Sequence, residues 1–170
     1  MNKMIRFLLL IPVSFLTLFV LYPILHEAGH AILTWILGGR VSGFSLLPNP
    51  HIESGLPYDK PGSVAAVSLG GIALPILVSL PFLRWRGYKG YVVVLVLLIS
   101  GISSVIELCI VFQYTMGDVV PEDDIVLFLT SSGVRPIWAI LYTLCAGFVS
   151  TALLIRMKPL ELIAELAGRS

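Results

Sequence analysis

The residues best suited to chemistry are two histidines and a glutamate in the sequence HEAGH, which supplies His26, Glu27 and His30. On a helix, positions i and i+4 lie on one face, so both imidazoles can reach the same zinc ion. Glu27 is rotated away from that pair, yet it stays near enough to take a proton from a water activated by the metal. The motif therefore predicts two zinc ligands, His26 and His30, and one general base, Glu27.

The chain around this motif is far too apolar for an ordinary soluble domain, since 57% of its residues are hydrophobic and 12% are charged. Ionisable side chains inside a bilayer are costly unless they are paired or bound to metal. That cost favours a functional interpretation of the two histidines. The alternative is a chance match, in which each histidine is an ordinary polar group satisfied by its neighbours.

Four apolar runs approach or exceed the roughly 20 residues needed to cross a bilayer. They cover residues 4–25, 63–83, 90–112 and 136–155. The predicted fold class is all-α, a polytopic helical membrane protein with about four transmembrane spans in a single domain, residues 1–170. Residues 4–37 are too long for one upright helix, so we expect a long first helix kinked at Pro12 and Pro23, or a fifth helix over 24–37.

Charge is distributed unevenly among the connections between these runs. Basic residues precede the first run, separate the second from the third and follow the fourth: Lys3, Arg6, Arg84, Arg86, Lys89, Arg156 and Lys158. Four spans with both termini cytoplasmic place all of them on the cytoplasmic side. We therefore expect a multi-pass integral protein of the cell membrane that contacts the lipid bilayer and no nucleic acid.

The first run lacks a small-residue cleavage site, so we expect it to be retained rather than removed as a signal peptide.

Two polar connections carry further structural signals. In the first, the alternation of VSGFSL (41–46) predicts a short strand or loop at the membrane surface. The second ends in Pro121, Glu122, Asp123 and Asp124. That order is typical of the start of a helix, because proline fits the first turn and acids favour its positive dipole end.

Polar and small residues inside the apolar runs predict which helix faces point inward. Four polar residues at helical spacing mark one face of the third span: Ser100, Ser103, Ser104 and Glu107. This face serves either as a hydrated path or partner for a ligand histidine, or simply as a source of hydrogen bonds between spans. Small residues in the second span predict a close helix approach: Ala65, Ser68, Gly70 and Gly71.

The stretch HEAGHAILTWILGGRV resembles the site-2-protease-like membrane zinc metalloproteases, particularly the small M50B-like members. That family carries HExxH on a membrane helix, often followed by a Gly-Gly-Arg turn such as residues 38–40. The likeness is tight over residues 22–41. It is looser over 63–83, where AVSLGGIALP is similar to the family's small-residue span, and weak over 118–136.

Catalytic zinc normally has three protein ligands and one open position. The resemblance implies that the third ligand is an aspartate from a later helix, although the family's usual Asn-Pro…Leu-Asp-Gly pattern is absent. DIVLFLTSSGVRP is similar to the family's aspartate segment and favours Asp124, with Asp118 and Asp123 as alternatives. Each of these acids could instead only cap a helix in solvent. His51 lies in a loop among prolines and is a poorer candidate, because catalytic ligands need rigid support.

The motif and the resemblance together imply an intramembrane zinc metallopeptidase with Zn²⁺ as its cofactor. Its substrate would be a membrane protein or transmembrane peptide, which the strand VSGFSL could hold by edge pairing. The alternative is a non-catalytic membrane protein of the same fold that binds or regulates partner membrane proteins. A small transporter is a further alternative, but four spans without repeat symmetry do not favour it.

Overall fold

The computed structural model describes residues 3–45, 51–55, 62–118 and 123–167, and most of these are helical. The helices are α1 (Lys3–Leu8), α2 (Leu10–Leu16), α3 (Tyr22–Ile36), α4 (Ser63–Ser68), α5 (Gly70–Ser79), α6 (Gly87–Thr115), α7 (Asp124–Ser132), α8 (Pro136–Met157) and α9 (Pro159–Leu166). Strands β1 (Arg40–Ser45) and β2 (His51–Gly55) form a small sheet. The predicted class, a helical membrane protein, is confirmed.

The first apolar segment is one long helix, Met4–Ile36, built from α1, α2, a π-helical turn and α3. The π turn, Thr17–Leu21, ends two residues before Pro23, which has no N–H to donate to the carbonyl four residues earlier. At 1.5 Å per residue the helix is about 50 Å long, which exceeds the hydrocarbon core of a bilayer. The predicted irregularity near Pro23 is therefore present, without a separate helix over 24–37.

The predicted second span, residues 63–83, is divided into two helices. α4 ends at Ser68 and α5 begins at Gly70, and we call the intervening residue, Leu69, the α4–α5 break. Glycine is a poor helix former, and Pro75 deprives the Gly71 carbonyl of its α-helical donor, so this segment is intrinsically weak as a helix. The other three predicted spans are continuous helices long and apolar enough to cross a membrane: Met4–Ile36, Gly87–Thr115 and Pro136–Met157.

The strand predicted over 41–46 is present as β1, which begins one residue earlier, whereas its antiparallel partner β2 was not predicted. Ser45 pairs with His51 at one end of the sheet, and the register shifts by one residue at Ser42. The Ser42 hydroxyl donates to the carbonyl of Glu53 at 3.2 Å, which holds this bulge. Both strands contact α3, so the hairpin lies beside the histidine-bearing helix.

One end of the bundle is closed by an apolar cluster made of Leu10, Val93, Val94, Leu97, Met157, Leu162 and Leu166. Leu162 and Leu166 belong to α9, a short amphipathic helix that was not predicted. We call this part of the molecule the basic end, because it carries Arg6, Arg84, Arg86, Lys89, Arg156 and Lys158. Arg86 forms an ion pair with Glu165 of α9, and the hydroxyl of Tyr88 donates to the carbonyl of Arg6 at 3.0 Å.

Candidate metal centre

Three side-chain atoms from two remote parts of the chain converge at the middle of the molecule. The Nε2 atoms of His26 and His30, both on α3, lie 3.2 Å apart. The Oδ2 atom of Asp124, at the start of α7, lies 3.1 Å from each of them. The ligands of a tetrahedral zinc ion are separated by about 3.3 Å, given metal–ligand bonds near 2.0–2.1 Å. These three atoms form a triangle, the name we use for them below, and their spacing fits a zinc ion without any movement.

A hydrogen bond behind His30 determines which of its ring nitrogens faces the triangle. Its Nδ1 lies 2.8 Å from the carbonyl of Val67, which can only accept, so Nδ1 carries a proton. Nε2 faces the triangle, where it can donate to Asp124 when protonated or bind a metal ion once deprotonated. A metal-binding histidine is typically oriented in this way by a carbonyl or carboxylate behind it. Lone pairs converging within 3.2 Å repel one another unless a proton or a cation lies between them.

Asp124 is held in the charge state that metal binding requires. Burial alone would raise the pKa of its carboxyl, but contact with His26 and His30 outweighs burial and keeps the pKa below its usual range. The neighbouring residues of α7 anchor it, because Ile125, Val126 and Leu129 pack with Val111 and Ala139 in an apolar group that we call the α7 cluster. The carboxylate that completes the triangle is thus attached to a firm hydrophobic support.

The two alternative aspartates lie elsewhere. Asp123 caps α7, and its Oδ1 accepts a hydrogen bond from the backbone N–H of Ile125 at 3.0 Å. Burial raises the pKa of Asp123, and the adjacent Asp124 adds to that rise, while the bond from Ile125 opposes it. Asp118 lies on the exposed turn that follows α6, where its own N–H donates to the carbonyl of Gln113. In the described part of the chain, neither acid forms an ion pair with His26 or His30.

Glu27 is buried, with 7% of its surface exposed, and lies close to the histidine pair without entering the triangle. One carboxylate oxygen and the ligand nitrogens of His26 and His30 lie within 4.8 Å of one another. The side chains of His26 and Asp124 keep 23% and 29% of their surface exposed, so the group is only partly buried. Three potential metal ligands and a nearby carboxylate are thus grouped at a partly accessible site.

Glycines bring the ligand helix against α5. Gly29, one residue before His30, meets Gly70 so closely that a Cβ on Gly29 would overlap the Gly70 carbonyl. A Cβ on Gly71 would lie 2.6 Å from Nε2 of His26, so the imidazole packs directly on that glycine. The close approach predicted for Gly70 and Gly71 is therefore present. Gly29, the residue on the other side of this contact, was not predicted, although it is the fourth residue of HEAGH.

The polar face of α6 points inward beside this centre, as predicted. Ser100, Ser104 and Glu107 are buried, and Ser103 accepts a hydrogen bond at 3.1 Å from the hydroxyl of Tyr22, one turn before His26 on α3. Ser100 and Ser104 donate to backbone carbonyls of their own helix. Hydrogen bonding therefore accounts for the serines of this face.

His51 is exposed at the start of β2 and pairs with Ser45 in the sheet. It forms no ion pair or hydrogen bond with Asp124 among the residues that the structure describes. The structure thus brings together His26, His30 and Asp124, with Glu27 beside them, and leaves His51 and Asp118 outside.

Comparison with known proteins gives a single finding. The family model described as Peptidase M50B-like matches residues 4–169, which is almost the entire chain. Searches of curated proteins and of solved structures gave no match. The match extends well beyond HEAGH and includes the region of Asp124.

Proposed function

The chain belongs to the Peptidase M50B-like family, and on that premise we propose that it is a zinc metallopeptidase that hydrolyses peptide bonds of membrane-embedded substrates. The observation that carries the proposal is the triangle of His26, His30 and Asp124, partly exposed and with Glu27 close by. A purely structural zinc site is closed by four protein ligands, whereas a catalytic site keeps one position open.

Each polar residue of the centre has a distinct role in this proposal. His26, His30 and Asp124 would hold the metal. When bound, zinc polarises the scissile carbonyl and lowers the pKa of water. Glu27 accepts the proton that the water loses as its oxygen bonds to the carbonyl carbon. It then passes that proton to the amide nitrogen as the carbon–nitrogen bond breaks, so that a carboxyl and an amine are released.

The hairpin of β1 and β2, which lies beside α3, could hold an unwound segment of the substrate. A helical substrate hides its carbonyls in its own hydrogen bonds, so the segment to be cut must first become extended. In the described residues, β1 and β2 pair only with each other, so neither has a second strand paired along its outer edge. Edge pairing there would lay an extended peptide alongside the helix that bears Glu27.

The charge distribution supports an orientation with both termini in the cytoplasm. The basic end contains the start of the first helix, the α5–α6 connection and α9, so the positive-inside rule assigns that whole end to the cytoplasmic side. Four crossings require the segment 63–82 to span as α4, α5 and the short turn after them. Twenty residues at 1.5 Å each reach about 30 Å, enough for the hydrocarbon core.

Glu27→Gln tests the proposed chemistry, because it removes the base while keeping the shape of the side chain. We expect the purified variant to retain zinc at the level of the unaltered protein. Its cleavage of single-span substrates in detergent should fall by about 10²- to 10⁴-fold, the usual contribution of a general base. Zinc is measured by elemental analysis, and cleavage by mass spectrometry of the products.

Two outcomes would contradict the proposal. Cleavage that persists in the Glu27→Gln variant would show that another group takes the proton. Zinc retention without cleavage by the unaltered protein, over a broad substrate panel, would favour the alternative of a non-catalytic protein that binds partner membrane proteins.

A further inference from the structure

A hydrogen bond from a distant helix fastens the α4–α5 break. The hydroxyl of Tyr142, on α8, donates to the carbonyl of Leu69 at 2.6 Å. These residues are 73 positions apart in the sequence. Leu69 and Tyr142 both pack against the α7 cluster, the apolar group that anchors the helix beginning at Asp124. The break is therefore tied to α7 and α8 at once.

The residues on either side of the break make the contacts that orient both histidines. Two positions before Leu69, the carbonyl of Val67 accepts from Nδ1 of His30. The two positions after it, Gly70 and Gly71, contact Gly29 and the ring of His26. A small rotation at Leu69 would move all of these contacts together.

We infer that Tyr142 is a positioning residue for the metal centre, an inference that rests on the proposed function. Its hydroxyl holds the α4–α5 break against the α7 cluster, and thereby sets the Val67 carbonyl and the glycine pair relative to Asp124. Among the described residues, Tyr142 forms no hydrogen bond with His26, His30 or Asp124. Its hydroxyl is committed to Leu69, so it acts through the backbone of the break.

Loss of this hydroxyl should weaken metal binding without unfolding the protein. Substitution of the groups that orient metal ligands typically lowers metal affinity by about 10- to 100-fold. Tyr142→Phe removes one oxygen atom and keeps the aromatic ring in the α7 cluster. We expect a fall in zinc affinity of about that size.

The chain offers two matched controls. Tyr91, at the basic end, shares a hydrogen bond of 2.8 Å with Ser14, so Tyr91→Phe removes a comparable interhelical bond far from the metal centre. Tyr114 packs against the same α7 cluster as Tyr142, and its hydroxyl makes no hydrogen bond to the residues that the structure describes. Tyr114→Phe therefore removes a hydroxyl near the same α7 cluster but leaves the hydrogen bond from Tyr142 to Leu69 in place.

The experiment measures the zinc dissociation constant of each purified full-length variant by competition with a chromophoric chelator in detergent. The visible absorption of bound cobalt(II) reports ligand geometry, and the melting temperature of metal-free protein reports structural damage. We expect weaker zinc binding and an altered cobalt spectrum for Tyr142→Phe alone, with both control variants like the unaltered protein.

Unchanged zinc affinity and cobalt spectrum in Tyr142→Phe would overturn the inference, even if its melting temperature fell. An equal loss of zinc affinity in Tyr114→Phe would also overturn it, because the hydroxyl bond would then not be the cause. If the unaltered protein bound no zinc, the proposed function itself would fail, and the inference with it.

Discussion

The metal centre and the basic end are held together in different ways. At the metal centre, α3 meets α5 through Gly29 and Gly70, whose backbones touch with no side chain between them. Backbone carbonyls there receive hydrogen bonds from His30 and Tyr142. At the basic end, large aliphatic side chains interlock, and Leu162 and Leu97 are almost completely buried.

This difference predicts opposite responses to substitution. Backbone contact leaves no room for an added methyl group, and it transmits any displacement directly to the ligands. Aliphatic packing loses energy when atoms are removed, but neighbouring side chains absorb part of the change locally. Added volume should therefore harm the metal centre most, and lost volume should harm the basic end.

Gly29→Ala should have the largest effect. A methyl group there overlaps the Gly70 carbonyl, so α3 and α5 must separate and carry His26 and His30 away from Asp124. We expect loss of both zinc binding and cleavage, measured by elemental analysis and product detection. Gly101→Ala is the control, because its Cβ would meet Ser150 at an ordinary 3.9 Å. Equal effects of the two substitutions would show that the close contact has no special importance.

Asp124→Asn should have the next largest effect, and mainly on metal binding. The amide keeps the shape of the side chain but lacks the negative charge, so zinc affinity should fall by more than the roughly 10- to 100-fold typical of groups behind the ligands. The metal-free protein should also melt at a somewhat lower temperature, because the charged carboxylate contacts both imidazoles. Asp118→Asn, on the exposed turn after α6, should leave zinc affinity unaltered. The reverse result would make Asp118 the third ligand.

Leu162→Ala should have the smallest effect on zinc and a clear effect on stability. Leu162 is 0% exposed at the basic end, so its truncation should cost about 2–5 kcal/mol of unfolding free energy. Denaturant titration in detergent measures this cost, and chelator competition on the folded variant should give an unchanged zinc affinity. Leu160→Ala, at a position 81% exposed, is the control and should alter neither quantity. A large loss of zinc affinity in Leu162→Ala would show that the two ends are coupled.

The sequence was most informative where chemistry depends on spacing along one helix. The four-residue spacing of His26 and His30 determines that they share a helix face. Glu27 lies on the same helical turn, so its position near the two histidines could also be predicted. Asp124 could be ranked above Asp118 only by resemblance, because spacing says nothing about a ligand from a remote helix. Long apolar runs likewise predicted the continuous helices.

The remaining features depend on backbone groups and tertiary packing that residue identity does not reveal. Every residue has a carbonyl, so nothing in the sequence distinguishes Val67 as the acceptor for His30. The α4–α5 break arises from the glycines and from contact with α3, although hydrophobicity alone predicted one span. α9 and β2 are both short. α9 is stabilised by packing against α6, which is distant in the chain, and β2 by pairing with β1.

The contact between Gly29 and Gly70 also determines how the protein meets membranes of different thickness. Because the two backbones touch, α3 and α5 cannot slide along each other without losing the contact. A thinner or thicker bilayer must then be accommodated by tilting of the whole bundle or by deformation of the surrounding lipid. Lipid chain length would thus alter the angle at which the protein sits, while the spacing of the three triangle atoms is preserved.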